Sequence, residues 1–436
     1  MVNDKKRILD QKSLLIIFTY APAGLGHLRV TDALYHGLSN RENAIILDAQ
    51  DQTLTYFHRL SSVHPLIRRI FEWVQQGAAE EIFTKLYRLL LHSRTKRLKE
   101  QIVDLINKRK DHPKTLLLIS THFGLAHQFG KIKLKIAAEL KLKVILVVQV
   151  TDDSPQKLWY VPEADIIFTP SSYTKQKLLE YGKAGGLREP VFKVVPYPIS
   201  PVLTKDLTAQ DYQNRVDQLN TEKTSPIQVM IPISGAAVGL DFFIKLCQLL
   251  YTKNQRFQFH ILVKKTLYTE MFVDKMIELP YINLHVFSED RQLVDQYEEV
   301  YRKEQIAIEI TKPSEQAFKA LLSPAQVGGP ILFFTQPIGR QEYDNLNFLR
   351  RKGLIPSKEQ NLELVRAAKA NVQPKIEAGV LRGVQLPQKP IQAAEFIEWM
   401  MRGKILETMI KSQNKNNLDS SGVEKFWEEV ADYLAG

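Results

Sequence analysis

The chain has 436 residues, enough for two or three domains with substantial hydrophobic cores. Hydrophobic residues make up 44% of it and charged residues 25%, which excludes a disordered chain and a collagen-like one. The 59 Lys and Arg residues exceed the 48 Asp and Glu residues, so the net charge is +11. A basic surface of this size predicts an anionic partner, and composition leaves open a nucleotide phosphate, a nucleic acid or an anionic lipid.

No apolar stretch reaches the roughly 18 residues that span a bilayer, and the charged start of the chain lacks the apolar core of a signal peptide. We therefore expect a cytoplasmic protein, with peripheral contact at the inner face of the cell membrane still allowed. The single cysteine, Cys247, lies in the apolar run 242–250, and we expect it to be core packing rather than a nucleophile.

Short apolar runs alternate with amphipathic helical patterns along most of the chain. Each run has the length of a strand and is rich in β-branched or aromatic residues without clean polar alternation, which is typical of strands buried on both faces of a parallel sheet. The runs form two series: 14–20, 44–47, 115–120, 144–150, 166–168 and 191–195, then 227–233, 257–263, 282–287, 306–310 and 331–334. The sequence therefore predicts an α/β chain with two Rossmann-like domains.

Three prolines within residues 196–201 predict the end of the first domain, because proline interrupts regular structure. We expect an N-terminal domain over 1–200, a linker over 201–225, a C-terminal domain over 226–395 and helices over 396–436. Residues 52–110 lack strand runs, which predicts helices inserted into the first domain.

This insertion is strongly basic, with 12 Lys or Arg residues against 5 Asp or Glu residues. A basic amphipathic helix is typical of a membrane-surface element, and Arg88, Arg94, Lys96 and Arg97 are the candidate contacts. The alternative is a packed helix with a solvated basic face. Binding of a nucleic acid is disfavoured, because the basic residues interleave with aliphatic side chains rather than exposed aromatic ones.

The first motif, residues 19–29, follows the first strand and opens a helix. Gly24 and Gly26 allow backbone N–H groups to approach a ligand closely, and a helix N-terminus favours negative charge. The same positive helix end should lower the pKa of His27 and keep its imidazole neutral, ready to accept a proton from a hydroxyl. Arg29 stands where a dinucleotide fingerprint has its third glycine, so a nicotinamide enzyme is disfavoured. A tight turn with a surface histidine is the alternative interpretation.

A second motif spans residues 148–171, where a strand ends in Asp152 and Asp153. Acids at the carboxyl ends of parallel strands lie at the ligand-binding edge, so either one is a candidate to orient His27 or to bind a polar acceptor. A helix N-cap plus a surface acid is the alternative. No further ligand stands at a useful spacing, so no metal site is predicted.

The second half carries polar residues after three of its strands, and these predict a ligand site. Small residues that suit phosphate approach follow the strand 227–233, namely Ser234, Gly235 and Ala236. After the strand 306–310 come Lys312, Ser314 and Glu315; after 331–334 come Gln341, Glu342 and Asn345. A carboxylate such as Glu315 can accept both hydroxyls of a ribose, although Ser314 and Glu315 also suit a simple helix start.

The chain resembles the GT-B glycosyltransferases related to monogalactosyldiacylglycerol synthase, the processive diacylglycerol glucosyltransferases and the lipid II-forming N-acetylglucosaminyltransferase. The resemblance extends over about residues 12–355 and rests on four motifs in order: GLGH at 24–27, the TDD, W, D and PS series between 151 and 171, TKPSE at 311–315 and QExxN at 341–345. It implies two Rossmann-like domains that face a central cleft, with C-terminal helices that cross back to the N-terminal domain.

The resemblance also implies roles for these residues. The N-terminal domain binds the acceptor and the C-terminal domain binds a UDP-sugar; transfer is inverting and needs no metal ion or other cofactor. His27 is then the general base, with Asp152 beside it as the second catalytic candidate, and Gly24 and Gly26 shape the loop near the donor phosphates. Glu315 holds the ribose, and the segment from Gln341 to Asn345 faces the sugar and phosphates.

The sequence departs from the family pattern in three places. The glycine-rich loop is reduced to SGAAVG at 234–239, Pro313 replaces a small residue, and Arg340 interrupts the GQE triplet and adds a cation near a diphosphate.

We therefore expect a hexosyltransferase that moves a sugar from a UDP-sugar to a lipid or lipid-linked acceptor. The alternatives are the same fold with a soluble acceptor and a non-catalytic nucleotide-binding scaffold.

Overall fold

The computed structural model describes residues 7–20, 25–48, 77–93, 95–233, 237, 239–374, 377–411 and 418–436. The chain divides into two compact units, one of Met1–Ser200 with Ser421–Gly436, the other of Pro201–Ser420. The division at Ser200 falls at the proline-rich segment that the sequence marks as a boundary.

The first unit contains a parallel sheet of six strands in the order β2-β1-β3-β4-β5-β6. Every residue of β1 is buried, as expected for a central strand covered on both faces. The strands are β1 Leu14–Tyr20, β2 Ala44–Asp48, β3 Thr115–Ser120, β4 Lys143–Gln149, β5 Ile166–Thr169 and β6 Val191–Val194. In β1 and β3, Thr19 pairs with Ser120.

Helices cover this sheet. They are α1 Leu25–His36, α2 Gly77–Ser93, α3 Lys96–Asn107, α4 Phe123–Leu140 and α5 Ser172–Ala184, with 3-10 helices at Arg7–Asp10 and Lys157–Trp159. Of the predicted basic insertion, the structure describes α2 and α3, and residues 52–76 lie outside the described part.

The second unit has a parallel sheet in the order β12-β11-β10-β7-β8-β9. Its strands are β7 Ile227–Pro232, β8 Phe257–Lys264, β9 Ile282–Phe287, β10 Ile308–Thr311, β11 Ile331–Phe334 and β12 Gly383–Gln385. Strand β12 was not predicted, because three residues at a sheet edge leave no periodic signal.

The helices of the second unit are α6 Ala209–Leu219, α7 Leu240–Lys253, α8 Glu270–Ile277, α9 Asp290–Lys303, α10 Arg340–Arg351, α11 Lys358–Ala370, α12 Pro390–Arg402 and α13 Ile405–Ile410. Two 3-10 helices, Glu315–Leu321 and Ala378–Val380, complete it. Cys247 of α7 is fully buried in the core, as predicted, and burial raises the pKa of its thiol.

Two predicted boundaries need correction. The proposed linker 201–225 belongs to the second unit, since α6 buries Val216 and Leu219 in that core. Residues 396–420 also belong to the second unit, where α12 and α13 pack into the same core. Both segments were misassigned because a helical pattern shows that a helix has an apolar face but not which core that face packs against.

The segment that returns to the first unit is Ser421–Gly436, with α14 Gly422–Ala435. Its aromatic residues anchor it there: Phe426 packs against Phe168 with ring centroids 4.5 Å apart and ring planes tilted by 45°, and Trp427 Nε1 donates to the Leu34 carbonyl at 3.0 Å. Among the described helices of both units, we find none long and apolar enough to cross a membrane.

Candidate functional site

The strand order of the first unit places a crevice between β1 and β3. In an open parallel sheet, ligands bind outside the carboxyl ends of the strands where the order reverses, and the order 2-1-3-4-5-6 reverses there. The residues that follow these two strands are the start of α1, with Gly26 and His27 in its first turn, and Thr121 with His122 before α4. This places His27 at the ligand edge of its unit.

A backbone carbonyl shows which nitrogen of the His27 ring carries a proton. Its Nδ1 lies 2.7 Å from the carbonyl oxygen of Thr121 and 3.3 Å from the Thr151 hydroxyl. A carbonyl can only accept, so Nδ1 carries a proton, and the neutral form of this ring therefore has its lone pair on Nε2. This is the tautomer that a general base requires.

Two threonine hydroxyls hold the main chain of His27. Thr31 Oγ1 donates to the His27 carbonyl at 2.9 Å, and Thr121 Oγ1 lies 3.1 Å from the same oxygen. The two hydroxyls are 2.8 Å apart and both residues are fully buried. The histidine is therefore held through its backbone and its ring by α1 and by the end of β3.

Aromatic rings surround His27. The ring of His122 lies 4.9 Å away edge-on, and Trp159 lies 6.3 Å away, both buried. Phe123 packs against both of these rings, at 4.7 and 5.5 Å. Thr121 and His122 were not among the predicted site residues, although a Thr-His pair directly after a buried strand is a usable signal.

The acids of the second motif divide between two roles. Asp153 is buried and accepts hydrogen bonds from Ser171 and Thr174 at the start of α5, so it supports the start of that helix, and a role in orienting His27 stays a prediction. Asp165 forms an ion pair with Lys133 at 2.8 Å and accepts from the Leu146 N–H. Asp152 is half-buried, and its catalytic role stays a prediction.

In the second unit, the strand order reverses between β7 and β10. The segment after β10, with Lys312, Ser314 and Glu315, therefore lies at the ligand edge, and Glu315 is half-buried at the start of a 3-10 helix rather than of an α-helix. The neighbouring strand β11, which leads to α10, ends beside this segment, because Thr311 and Phe334 pair at the ends of β10 and β11.

Asn345 joins the two predicted donor motifs. Its side chain is fully buried and donates from Nδ2 to the Pro313 carbonyl at 3.2 Å, which ties α10 to the segment after β10. The enclosed amide therefore holds this loop, and its contact with a ligand stays a prediction.

Glu342 closes the start of α10. Its Oε2 accepts from the Ile338 N–H at 2.7 Å, so this carboxylate caps its own helix, and its contact with a sugar stays a prediction. Arg340 Nε lies 3.6 Å from Asp344 Oδ2, within the first turns of α10. Gln341 is half-buried and stays a candidate ligand contact.

One face of α2 packs against the rest of the first unit. Glu80, Thr84, Arg88 and Leu91 recur at helical spacing and face the unit, where Arg88 donates to the Lys157 and Tyr160 carbonyls at 3.1 and 2.7 Å. Burial lowers the pKa of Arg88. Arg88 is therefore a structural residue, and its prediction as a membrane contact is wrong.

The opposite face of α2 presents apolar side chains outward. Leu86, Leu89 and Leu90 are exposed by 63, 67 and 44%. Lys96 and Arg97 of α3 are also exposed, as predicted for a surface cation. We call Leu86, Leu89 and Leu90 the leucine face.

Five predicted site residues, Gly24, Arg94, Ser234, Gly235 and Ala236, lie outside the described residues. Within the described part of the chain, no group of three or more His, Cys, Asp or Glu side chains is arranged to hold a metal ion.

No protein-family model matches the chain, and no curated protein sequence does. Solved structures do. A Listeria monocytogenes protein assigned as a UDP-N-acetylglucosamine 2-epimerase aligns over 97% of this chain and 96% of its own, with 9% identity and a TM-score of 0.51.

Two further structures are similar. MnaA of S. aureus with UDP aligns over 97% of this chain and 96% of its own, with 12% identity and a TM-score of 0.49. Arabidopsis thaliana UGT89C1 with UDP-L-rhamnose aligns over 97% and 99%, with 12% identity and a TM-score of 0.46. At such identities the likeness is one of fold alone, and the chain has a two-domain α/β fold of the GT-B type.

Proposed function

We propose that the protein is a glycosyltransferase that moves a hexosyl group from a UDP-sugar to a hydroxyl of a lipid or lipid-linked acceptor. The observation that carries the proposal is the His27 tautomer at the ligand edge of the first unit. With Nδ1–H bonded to the Thr121 carbonyl, the lone pair is on Nε2. That atom removes the proton as the acceptor oxygen bonds to the anomeric carbon.

The second unit binds the donor in this proposal. Glu315 accepts the ribose hydroxyls, and Gln341 contacts the sugar. As the bond from the anomeric carbon to the diphosphate breaks, negative charge grows on the leaving group. The first turn of α10, together with Lys312 and Arg340, supplies N–H groups and cations to stabilise that charge, so transfer proceeds without a metal ion. Attack opposite the leaving group inverts the anomeric centre.

The leucine face supports a lipid acceptor rather than a soluble one. Three exposed leucines on one helical face, with the exposed cations Lys96 and Arg97 on the next helix, have the composition of a surface that enters the headgroup region of an anionic bilayer. The enzyme then works peripherally at the membrane where its acceptor lies.

A nucleotide panel tests the donor half of the proposal. UDP and UDP-sugars are expected to raise the melting temperature, because a ligand that binds only the native state stabilises it, whereas GDP and NAD are expected to leave it unchanged. Transfer of label from the stabilising UDP-sugar is then measured into a lipid extract and into soluble sugars. Label in the lipid phase supports the proposal; label only in soluble products indicates the soluble-acceptor alternative. No stabilisation by any UDP species contradicts the proposal and favours the non-catalytic scaffold.

A further inference from the structure

A buried charge pair lies beneath the proposed ribose-binding segment of the second unit. Glu309 stands in the middle of β10, fully buried between apolar neighbours, and forms an ion pair with Lys319 of the 3-10 helix Glu315–Leu321. A lone carboxylate in a central strand is strongly destabilising, so such a group persists only when its charge is paired.

Two tyrosines of α9 complete the cluster. Tyr297 and Tyr301 are one helical turn apart and both buried, and their hydroxyls donate to Glu309 Oε2, that of Tyr297 at 2.7 Å. The Lys319 ammonium lies 4.7 and 4.9 Å from the two ring centroids. Burial and the neighbouring Glu309 raise the pKa of Tyr301, so its hydroxyl stays a donor.

The 3-10 helix depends on these contacts for its position. Helices of this type have poor hydrogen-bond geometry and are short, and the Ser314 side chain makes no capping bond to this one. Lys319 and Gln316 lie three residues apart, on one face, and Gln316 Oε1 is 3.0 Å from the Tyr297 hydroxyl. The cluster thus fixes the helix whose first residue is Glu315.

We propose that Lys319 and Glu309 are positioning residues for nucleotide binding: their ion pair holds the 3-10 helix so that Glu315 meets both hydroxyls of a ribose. The inference rests on the proposed donor site and goes beyond it, because it assigns affinity for the ribose to residues that never touch the ligand. Loss of the pair leaves the unit folded and releases the start of the helix.

The test uses the double variant Lys319→Met/Glu309→Gln in the full chain. Removal of one partner alone would leave an unpaired buried charge, whereas replacement of both by neutral side chains of similar size is often tolerated. The readout is the ratio of the Kd values for 2′-deoxy-UDP and UDP, since the 2′-hydroxyl is one of the two groups that Glu315 accepts. We expect about a tenfold preference for UDP in the wild type and almost none in the double variant.

A double-mutant cycle separates positioning from general damage. Glu315→Gln alone is expected to abolish the preference for UDP over 2′-deoxy-UDP. The triple variant that adds Lys319→Met/Glu309→Gln should show no further change, because both sets of substitutions act through the contact of Glu315 with the ribose. The matched control removes the Lys253–Glu398 ion pair, 3.0 Å apart at the surface of the same unit, as Lys253→Met/Glu398→Gln, and is expected to keep the ratio.

An unchanged ratio in the folded double variant overturns the inference while the donor site stands. Additive losses in the cycle overturn it too. Failure of the wild type to bind UDP overturns both the donor site and the inference. Should the double variant not fold, Tyr297→Phe decides: a lowered ratio supports the inference, and an unchanged ratio refutes it.

Discussion

The leucine face gives a membrane prediction whose magnitude follows from the exposure of its side chains. Full burial of a leucine contributes about 1.5–3 kcal/mol. Leu86 and Leu89 are 63 and 67% exposed, so their transfer into a bilayer contributes about 2 kcal/mol or more together. The double variant Leu86→Ser/Leu89→Ser should therefore bind vesicles about thirtyfold more weakly.

Co-sedimentation with vesicles of anionic and of neutral lipid measures this change. Each Lys or Arg near an anionic surface adds about 1 kcal/mol, and salt screens that part. We therefore expect binding of the wild type to weaken in high salt, with the thirtyfold difference retained. Both positions are solvent-exposed, so the melting temperature of the variant should match that of the wild type.

The second unit offers a matched control. Leu267 and Met271 are exposed by 83 and 73%, and Leu267→Ser/Met271→Ser removes a similar apolar area elsewhere on the chain. We expect the control variant to bind vesicles like the wild type. Equal binding by the Leu86/Leu89 variant and the wild type would refute the role of the leucine face, and equal loss in both variants would show non-specific adsorption.

Three further predictions concern the first unit. His27→Asn keeps a donor for the Thr121 carbonyl but has no base, so the initial rate of transfer should fall by about 10²–10⁴-fold. The affinity for UDP, measured by calorimetry, should be unchanged. A smaller loss of rate argues against general-base catalysis. Arg88→Met removes two hydrogen bonds from a buried guanidinium, so urea melts should show a free energy of unfolding lower by about 2 kcal/mol. Vesicle binding should stay unchanged. Weaker vesicle binding would restore the membrane role of Arg88. Burial lowers the pKa of His127 from 6.5 to about 3. As the pH falls, the unfolded chain is therefore protonated at this histidine before the folded chain is, and the stability present above pH 6.5 is lost as the pH falls towards 3. The loss should reach about 3 kcal/mol near pH 4.5, and urea melts of His127→Gln should show a flatter pH profile; an identical profile contradicts this assignment.

Much of the fold was predictable because a strand covered on both faces has a local signature. The predicted run 14–20 is β1, and 115–120 is β3, since hydrophobic β-branched and aromatic residues persist over the full width of a buried strand. The placement of polar residues at strand ends was predictable for the same reason. His27 and Glu315 follow central strands, and the carboxyl ends of parallel strands form the ligand edge.

The helical pattern of α2 predicted an amphipathic helix and left its orientation open. Periodicity shows that a helix has two different faces, but not which one meets the protein. Here Arg88 finds two carbonyls inside the unit, while Leu89 faces outward. The same limit applies to Glu342 and Asn345, because the sequence does not show whether their polar groups bind a ligand or the backbone.

The sequence by itself determined the α/β class, the two series of strands and the boundary near residue 200, because these depend on patterns within a few residues. Only the tertiary structure decided which distant groups meet. The proton position on His27 depends on a carbonyl 94 residues further on, and the anchoring of Glu315 depends on Lys319, Glu309 and α9 together. Such contacts are made between separate elements in the folded chain, so no local pattern records them.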